Sequence, residues 1–266
     1  MKNFEVEYSW LKNSIIKGIN QLPEHSEHYF YNKYVDIKQF EYIQMDMMHL
    51  NSNWIYKIPD FNTKTSNNEQ ELVTLFNNFK AEDTLINKKN ILKLRSFNFP
   101  CYIWLNGSFV GFSKGFERYL EFEITNLLCP DSNELVIKVY PNNEEMTSDD
   151  VMLDSLLDKI SESIIYNIPN LHVYDFNVTL ENKQKFNKSA ITIDCLLNGN
   201  SKSAIIGIYV YDKERKIILK DNVDYTNKLE KRYDLDINYL AISFVELLII
   251  DDGTIVETAI TKVKIV

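Results

Sequence analysis

The stretch that most constrains this chain is Cys101 to Thr125, CYIWLNGSFVGFSKGFERYLEFEIT. Apolar and polar residues alternate, the chain turns at Asn106-Gly107, and the alternation resumes. Strand formers broken by Asn-Gly specify a tight hairpin, because a type I′ turn needs positive φ at both central residues. Three of the seven glycines (Gly107, Gly111, Gly115) fall inside this stretch, among the rings of Tyr102, Trp104, Phe109 and Phe112. A fold built around it is antiparallel β.

The rest of the composition permits such a fold and excludes several functions. In 266 residues there is room for one large or two ordinary domains, and 45% apolar content supplies a core. A formal net charge of −9 argues against nucleic acid, which needs a basic face. No run reaches the ~18–20 apolar residues of a membrane span, and MKNFEVEYSW has no apolar core of a signal peptide. Cys101, Cys129 and Cys195 form no CxxC pair and read as reduced thiols in a cytoplasmic protein.

Along the chain, Trp10, Leu11, Ile15, Ile16 and Ile19 recur at helical spacing before Pro23, so residues 1 to about 22 predict a short helix. His25-Ser26-Glu27-His28 reads as a loop entering a strand; zinc usually takes at least three protein ligands, and no third lies nearby. Residues 34–50 are ambiguous. Strands are expected at 51–60, 71–79, 90–98, 101–113, 121–124 and 134–140, with a polar loop at 63–70. Leu153, Leu156, Leu157 and Ile160 then make an amphipathic helical stripe, read either as an ordinary surface helix or as a partner-docking face. From 163 onward the pattern is strand again, with hairpin turns expected at Asn198-Gly199-Asn200 and Asp251-Asp252-Gly253. Seven short strands in about 95 residues match the count of an immunoglobulin-like sandwich.

The hairpin resembles the N-terminal sugar-binding domain of glycoside hydrolase family 2, the β-galactosidase and β-glucuronidase family. That family shows a phrase like Y-x-W-L-N-G-x-x-V-G-Y-S-x-G-S-R-x-P-x-E-F-D-I-T. Tyr102, Trp104, Leu105, Asn106, Gly107, Val110, Gly111, Ser113, Gly115, Glu121, Phe122, Ile124 and Thr125 match it. Asp175-Phe176-Asn177-Val178 and Asp252 to Glu257 are similar to the entry and last hairpin of the family's second domain. The resemblance implies a galactose-binding-type jelly roll at 1–168 and an immunoglobulin-like β-sandwich at 169–266, an all-β protein. It also implies that Asn106 reaches a sugar site, and makes Tyr102, Trp104, Arg118 and Asp150 further ligand candidates. The chain departs from the family at Glu117, which stands where the family has Arg. It departs again over Asp149 to Glu162, where the family's Trp, Ser-Gly-Ile and Arg residues are missing and the Leu153–Ile160 stripe stands instead.

In the family a (β/α)₈ barrel carries both catalytic glutamates, and these 266 residues reach about where it would begin. A retaining glycosidase needs two carboxyls ~5–5.5 Å apart across the sugar. The adjacent pairs Glu144-Glu145, Asp149-Asp150 and Asp251-Asp252 read as solvated turn residues. The expectation is therefore a non-catalytic, cytoplasmic relative that binds a protein partner or a glycan, with no cofactor and no metal. The alternatives are a subunit of a split glycosidase and a small lectin-like module.

Overall fold

The computed structural model describes residues 4–58, 72–86, 88–140, 149–183 and 188–263, with backbone alone at 149–152 and 183. The chain opens with a five-residue helix, α1 (Tyr8–Lys12), then β1 (Gly18–Ile19), β2 (Tyr29–Tyr31), β3 (Met47–His49) and β4 (Trp54–Lys57). Next come β5 (Val73–Phe79), β6 (Lys89–Arg95), β7 (Cys101–Leu105), β8 (Ser108–Ser113), β9 (Tyr119–Glu123) and β10 (Asn133–Val139). Helix α2 (Asp149–Ser161) leads into β11 (Ile164–Ile168). The remainder is β12 (His172–Lys183), β13 (Lys188–Asn198), β14 (Ile205–Asp212), β15 (Ile217–Asp224), β16 (Lys228–Leu235), β17 (Ile242–Asp251) and β18 (Thr254–Lys262). The protein is all-β, a jelly-roll sandwich followed by an immunoglobulin-like one. It forms two compact units: Met1–Glu24 with Met47–Asn167, and His25–Asp46 with Ile168–Val266.

The first unit has a six-stranded sheet, β1-β8-β7-β10-β5-β4, and a four-stranded sheet, β3-β11-β6-β9. Alternation sends Cys101, Ile103, Leu105, Leu135, Ile137 and Val139 between the sheets, where Leu92, Leu94 and Phe122 meet them. The hairpin turn forms as the sequence requires, with Asn106 at φ 55° and Gly107 at φ 84°. Gly111 is needed for a different reason: a Cβ there would lie 2.5 Å from the Phe122 ring and 2.6 Å from the Ile19 carbonyl. Its bareness lets β1 approach the edge of β8, where Ile19 pairs with Phe112.

The predicted N-terminal helix is cut to α1. Asn13 turns back, its amide N–H bonding to the Ser9 carbonyl and its side chain accepting from the Ile15 amide. Ile16 and Ile19 then continue as extended chain packed on the outer face of the six-stranded sheet, and Ile15 points to solvent. Local side-chain competition at Asn13 thus overrides a helical spacing.

The second unit pairs a three-stranded sheet, β12-β13-β16, with a five-stranded one, β15-β14-β17-β18-β2. Ile191, Ile193, Cys195, Ile206, Ile208, Val210, Val245, Leu247 and Ile249 fill the space between. Two expectations are corrected here. The sequence expectation of a jelly roll over 1–168 includes residues 25–46, but in the structure β2 adds to the edge of β18, Tyr31 opposite Thr258. Asn198-Gly199-Asn200 is not a hairpin turn, since β13 and β14 belong to different sheets. Gly199, at φ 99°, serves a sheet-to-sheet corner that Asn227 stitches through the Leu197 and Gly199 carbonyls. The Asp252-Gly253 turn does join a hairpin, β17 to β18, at φ 47° and 75°.

Candidate functional site

Asn106 is held in the β7–β8 turn by its own side chain. Its Nδ2 donates to the Leu127 carbonyl at 2.8 Å and to Asn133 Oδ1 at 2.9 Å. Its Oδ1 accepts from the Glu134 amide at 2.9 Å. Asn133, fully buried, closes the knot through both the amide and the carbonyl of Cys129. Both amide hydrogens of Asn106 are therefore engaged within the fold, which fixes the turn and leaves one carbonyl lone pair for anything outside.

Tyr102 and Trp104 lie where no sugar can stack on them, which corrects their reading as ligand platforms. Tyr102 is fully buried and Trp104 is 3% exposed. The N-terminal segment covers them: Trp10 stacks on Tyr102 with centroids 6.1 Å apart, and Phe4 meets Trp104 edge-on at 5.6 Å. The Tyr102 hydroxyl donates to the Glu7 carbonyl at 2.9 Å. Burial drives that hydroxyl's pKa well above the ordinary tyrosine range, so it stays a donor. Lys138 extends across the Trp104 ring at 5.6 Å and donates to the Phe4 carbonyl. Sheet strands normally cover one face, and β7 is buried on both, which is why its alternation misled.

Arg118 is exposed, its guanidinium 5.2 Å from the Tyr119 ring centroid. The Asn106 turn and the loop bearing Arg118 flank opposite ends of β8, whose six residues span about 20 Å. A single monosaccharide cannot touch both. Asp150 falls in the first turn of α2, where its side chain lies outside the described residues. The ligand candidates are thus not brought together.

The stripe on α2 faces inward, which corrects its reading as a docking surface. Leu153, Leu156 and Ile160 are buried, and Leu157 packs against the same core. Each such burial contributes about 1.5–3 kcal/mol. Lys159 Nζ donates to the Phe97 carbonyl at 3.1 Å, and Arg95 pairs with Glu162 just past the helix.

The sequence reading passed over two buried acids in the second unit. Glu257 is 1% exposed, and its Oε2 accepts the Val173 amide of the facing sheet at 2.7 Å. Burial lifts its pKa to about 8, against the lowering effect of that hydrogen bond. Glu246, 3% exposed, accepts the Tyr211 hydroxyl at 2.5 Å on Oε2, while its buried Oε1 has no hydrogen-bond partner. Burial likewise lifts it to about 7, with Asp36 adding to the rise and the Tyr211 bond opposing it. The signal was a glutamate set inside the apolar run SFVELLII. Register puts Glu257 opposite Ile249, on the inner face, and Glu246 opposite Ile260, three positions back along β17 and so on the outer face. The two carboxyls lie on opposite sides of one sheet and cannot flank a common substrate.

His25 and His28 form no metal centre. Each ring lies within hydrogen-bond reach of the Ser26 carbonyl, and among the described residues no group of three or more His, Cys, Asp and Glu side chains is placed to hold an ion.

No family model matches the chain. It is 23% identical over 283 residues to a β-galactosidase of Clostridium acetobutylicum, covering 86% of this chain and 31% of that protein. In structure it is similar to a glycosyl hydrolase family 2 member from Bacteroides cellulosilyticus, with a TM-score of 0.60, 13% identity, and coverage of 83% of this chain and 36% of that one. Over most of its length the chain is similar to β-galactosidases and, in fold, to glycoside hydrolase family 2 structures. A β-glucuronidase from Ruminococcus gnavus, solved with D-glucuronic acid, superposes with a TM-score of 0.61 at 14% identity, over 82% of this chain and 46% of its own. A β-galactosidase large subunit of Leuconostoc lactis is 18% identical over 80% of this chain and 44% of that protein. The chain thus spans less than half of each of these proteins.

Proposed function

We propose that residues 1–266 are a non-catalytic β-sandwich support of a β-galactosidase-like protein, working in the cytoplasm, with bond cleavage carried out by residues outside this stretch. The observation that carries the reading is the placement of Glu246 and Glu257 on opposite faces of one sheet, because glycoside hydrolysis needs two carboxyls facing each other across the sugar. The engagement of Asn106 within its own turn and the burial of Tyr102 and Trp104 add to it. The three unpaired cysteines, two of them buried, agree with a reducing compartment.

The test is an assay of purified residues 1–266 with 4-nitrophenyl β-galactoside and β-glucuronide. No turnover above buffer is expected. Turnover that disappears in Glu246→Gln or Glu257→Gln would overturn the reading. A second reading, an accessory subunit beside a separate catalytic chain, is favoured by the likeness to a β-galactosidase large subunit. Co-purification with a barrel-bearing chain from the native source would place it first.

A further inference from the structure

Residues 25–46 lie as a cover on the second unit. β2 pairs with β18, Tyr29 opposite Ile260 and Tyr31 opposite Thr258. Beyond it, Tyr31, Val35, Ile37 and Phe40 bury against Tyr211 and Ile260 on the sheet's outer face. Polar ties hold the cover: Thr258 Oγ1 accepts the Val35 amide and donates to the Lys33 carbonyl. At the far end Glu41 pairs with Arg215 and Lys262, and Arg215 lies across the Phe40 and Phe244 rings.

Beneath this cover sits Glu246. The groups around it come from each neighbouring element. Tyr209, opposite it on β14, and Tyr211, which donates to it, lie on one side. Ile260 of β18 lies on the other and is apolar. From the cover come Tyr34, whose hydroxyl is raised by burial and then by Asp36, Glu246 and Tyr209, and Asp36 itself. Lys220, from β15, lies over the Tyr209 ring at 5.4 Å from its centroid. Among the described residues the environment therefore offers Glu246 one neutral donor, a nearby like charge, and no hydrogen-bonded cation. Its second oxygen is closed off from water without a partner. That is a place for a neutral carboxylic acid and a costly one for a carboxylate.

We propose that residues 25–46 are a proton-operated latch, shut over the β14–β17–β18 face while Glu246 holds its proton and released as that proton passes to solvent. The sign follows from linkage. Burial raises the Glu246 pKa to about 7, so docking is strongest below the ordinary carboxylate range for this group and weakens as pH climbs toward neutrality. Glu41 acts the other way: the hydrogen bond from Lys262 lowers its pKa, so strong acid loosens the far end. The latch holds best in mild acid.

The experiment is hydrogen exchange on the full chain from pH 5 to 8, corrected for intrinsic rates, comparing residues 29–43 with the core strand β7 of the first unit. Opening of 29–43 relative to β7 is expected to rise by close to tenfold per pH unit between pH 5 and 7 and to flatten above. Glu246→Gln should abolish the rise and keep the segment protected at pH 8. Asp36→Asn, which removes the like charge, should move the midpoint to lower pH. A pH-independent wild type, or an unchanged slope in Glu246→Gln, would overturn the latch. Should Glu246→Gln fail to fold, an unmoved midpoint in Asp36→Asn would do the same.

Discussion

The two units solve one problem with different chemistry. Each has a sheet whose outer face would be left bare, and each covers it with chain from the first 46 residues. In the first unit, residues 4–19 lay Phe4, Trp10, Leu11 and Ile16 over Tyr102, Trp104 and Phe112, and the buried polar group there is a hydroxyl that finds a carbonyl. In the second, residues 29–43 lay Tyr31, Val35 and Phe40 over a face that contains a carboxyl with one oxygen unmatched. An apolar cover over satisfied groups holds at any moderate pH. One over an ionisable acid holds only while the acid is neutral. The difference teaches that the same architectural device is permanent or conditional according to a single buried side chain.

The comparison is tested most strongly at Phe40 and Trp10. Phe40 is fully buried, so Phe40→Ala is expected to cost the second unit about 3–5 kcal/mol, and Trp10, only half-buried, should cost the first unit less. Denaturation followed by hydrogen exchange in β14 and in β7 separates the two units. Equal losses would mean that the covers do not differ in packing.

Next in size is the response to pH. Glu257 is raised to about 8 and Glu246 to about 7, so each contributes stability that is full below the ordinary carboxylate range and is lost as pH rises to those values. The second unit should lose up to about 1.4 kcal/mol per pH unit for each acid across its window. Glu257→Gln should remove its share of the slope and leave the unit more stable at pH 8. Burial raises Tyr102 above the ordinary tyrosine range, so it does not change charge there. A second unit that gains stability from pH 5 to 8 would break the distinction.

What the sequence disclosed follows from where the information sat. Asn106-Gly107 and Asp252-Gly253 announce their turns because only residues tolerant of positive φ suit both positions, a wholly local rule. The strands flanking them follow from alternation. A strand after His28 is legible and β2 bears it out, but its place beside β18 is not: it has three residues, and the polar tie beside it joins Val35 to Thr258 across 223 positions. The ligand candidates failed for a related reason. Whether Tyr102 and Trp104 face solvent is decided by residues 4–19, and whether Leu156 and Ile160 face a partner is decided by the core beneath α2. Periodicity names a face; only tertiary contact says what lies against it.

The smallest effect contrasts the two Asx-Gly turns. Both have positive φ at each central residue, so glycine fits either without backbone strain. They differ in what the first residue holds. Asn106 makes side-chain bonds to Leu127, Asn133 and Glu134, whereas Asp252 is exposed and Gly253 has nothing near it. Asn106→Gly therefore removes hydrogen bonds alone and leaves buried Asn133 Oδ1 with the Cys129 amide as its remaining donor, a loss of about 1–2 kcal/mol. Asp252→Gly should lie within about 0.5 kcal/mol of wild type, as surface changes usually do. Thermal melts of the two variants decide it. Equal values would show that the knot around Asn106 adds nothing beyond the turn, and Asn106 would then be free to be kept for a ligand instead.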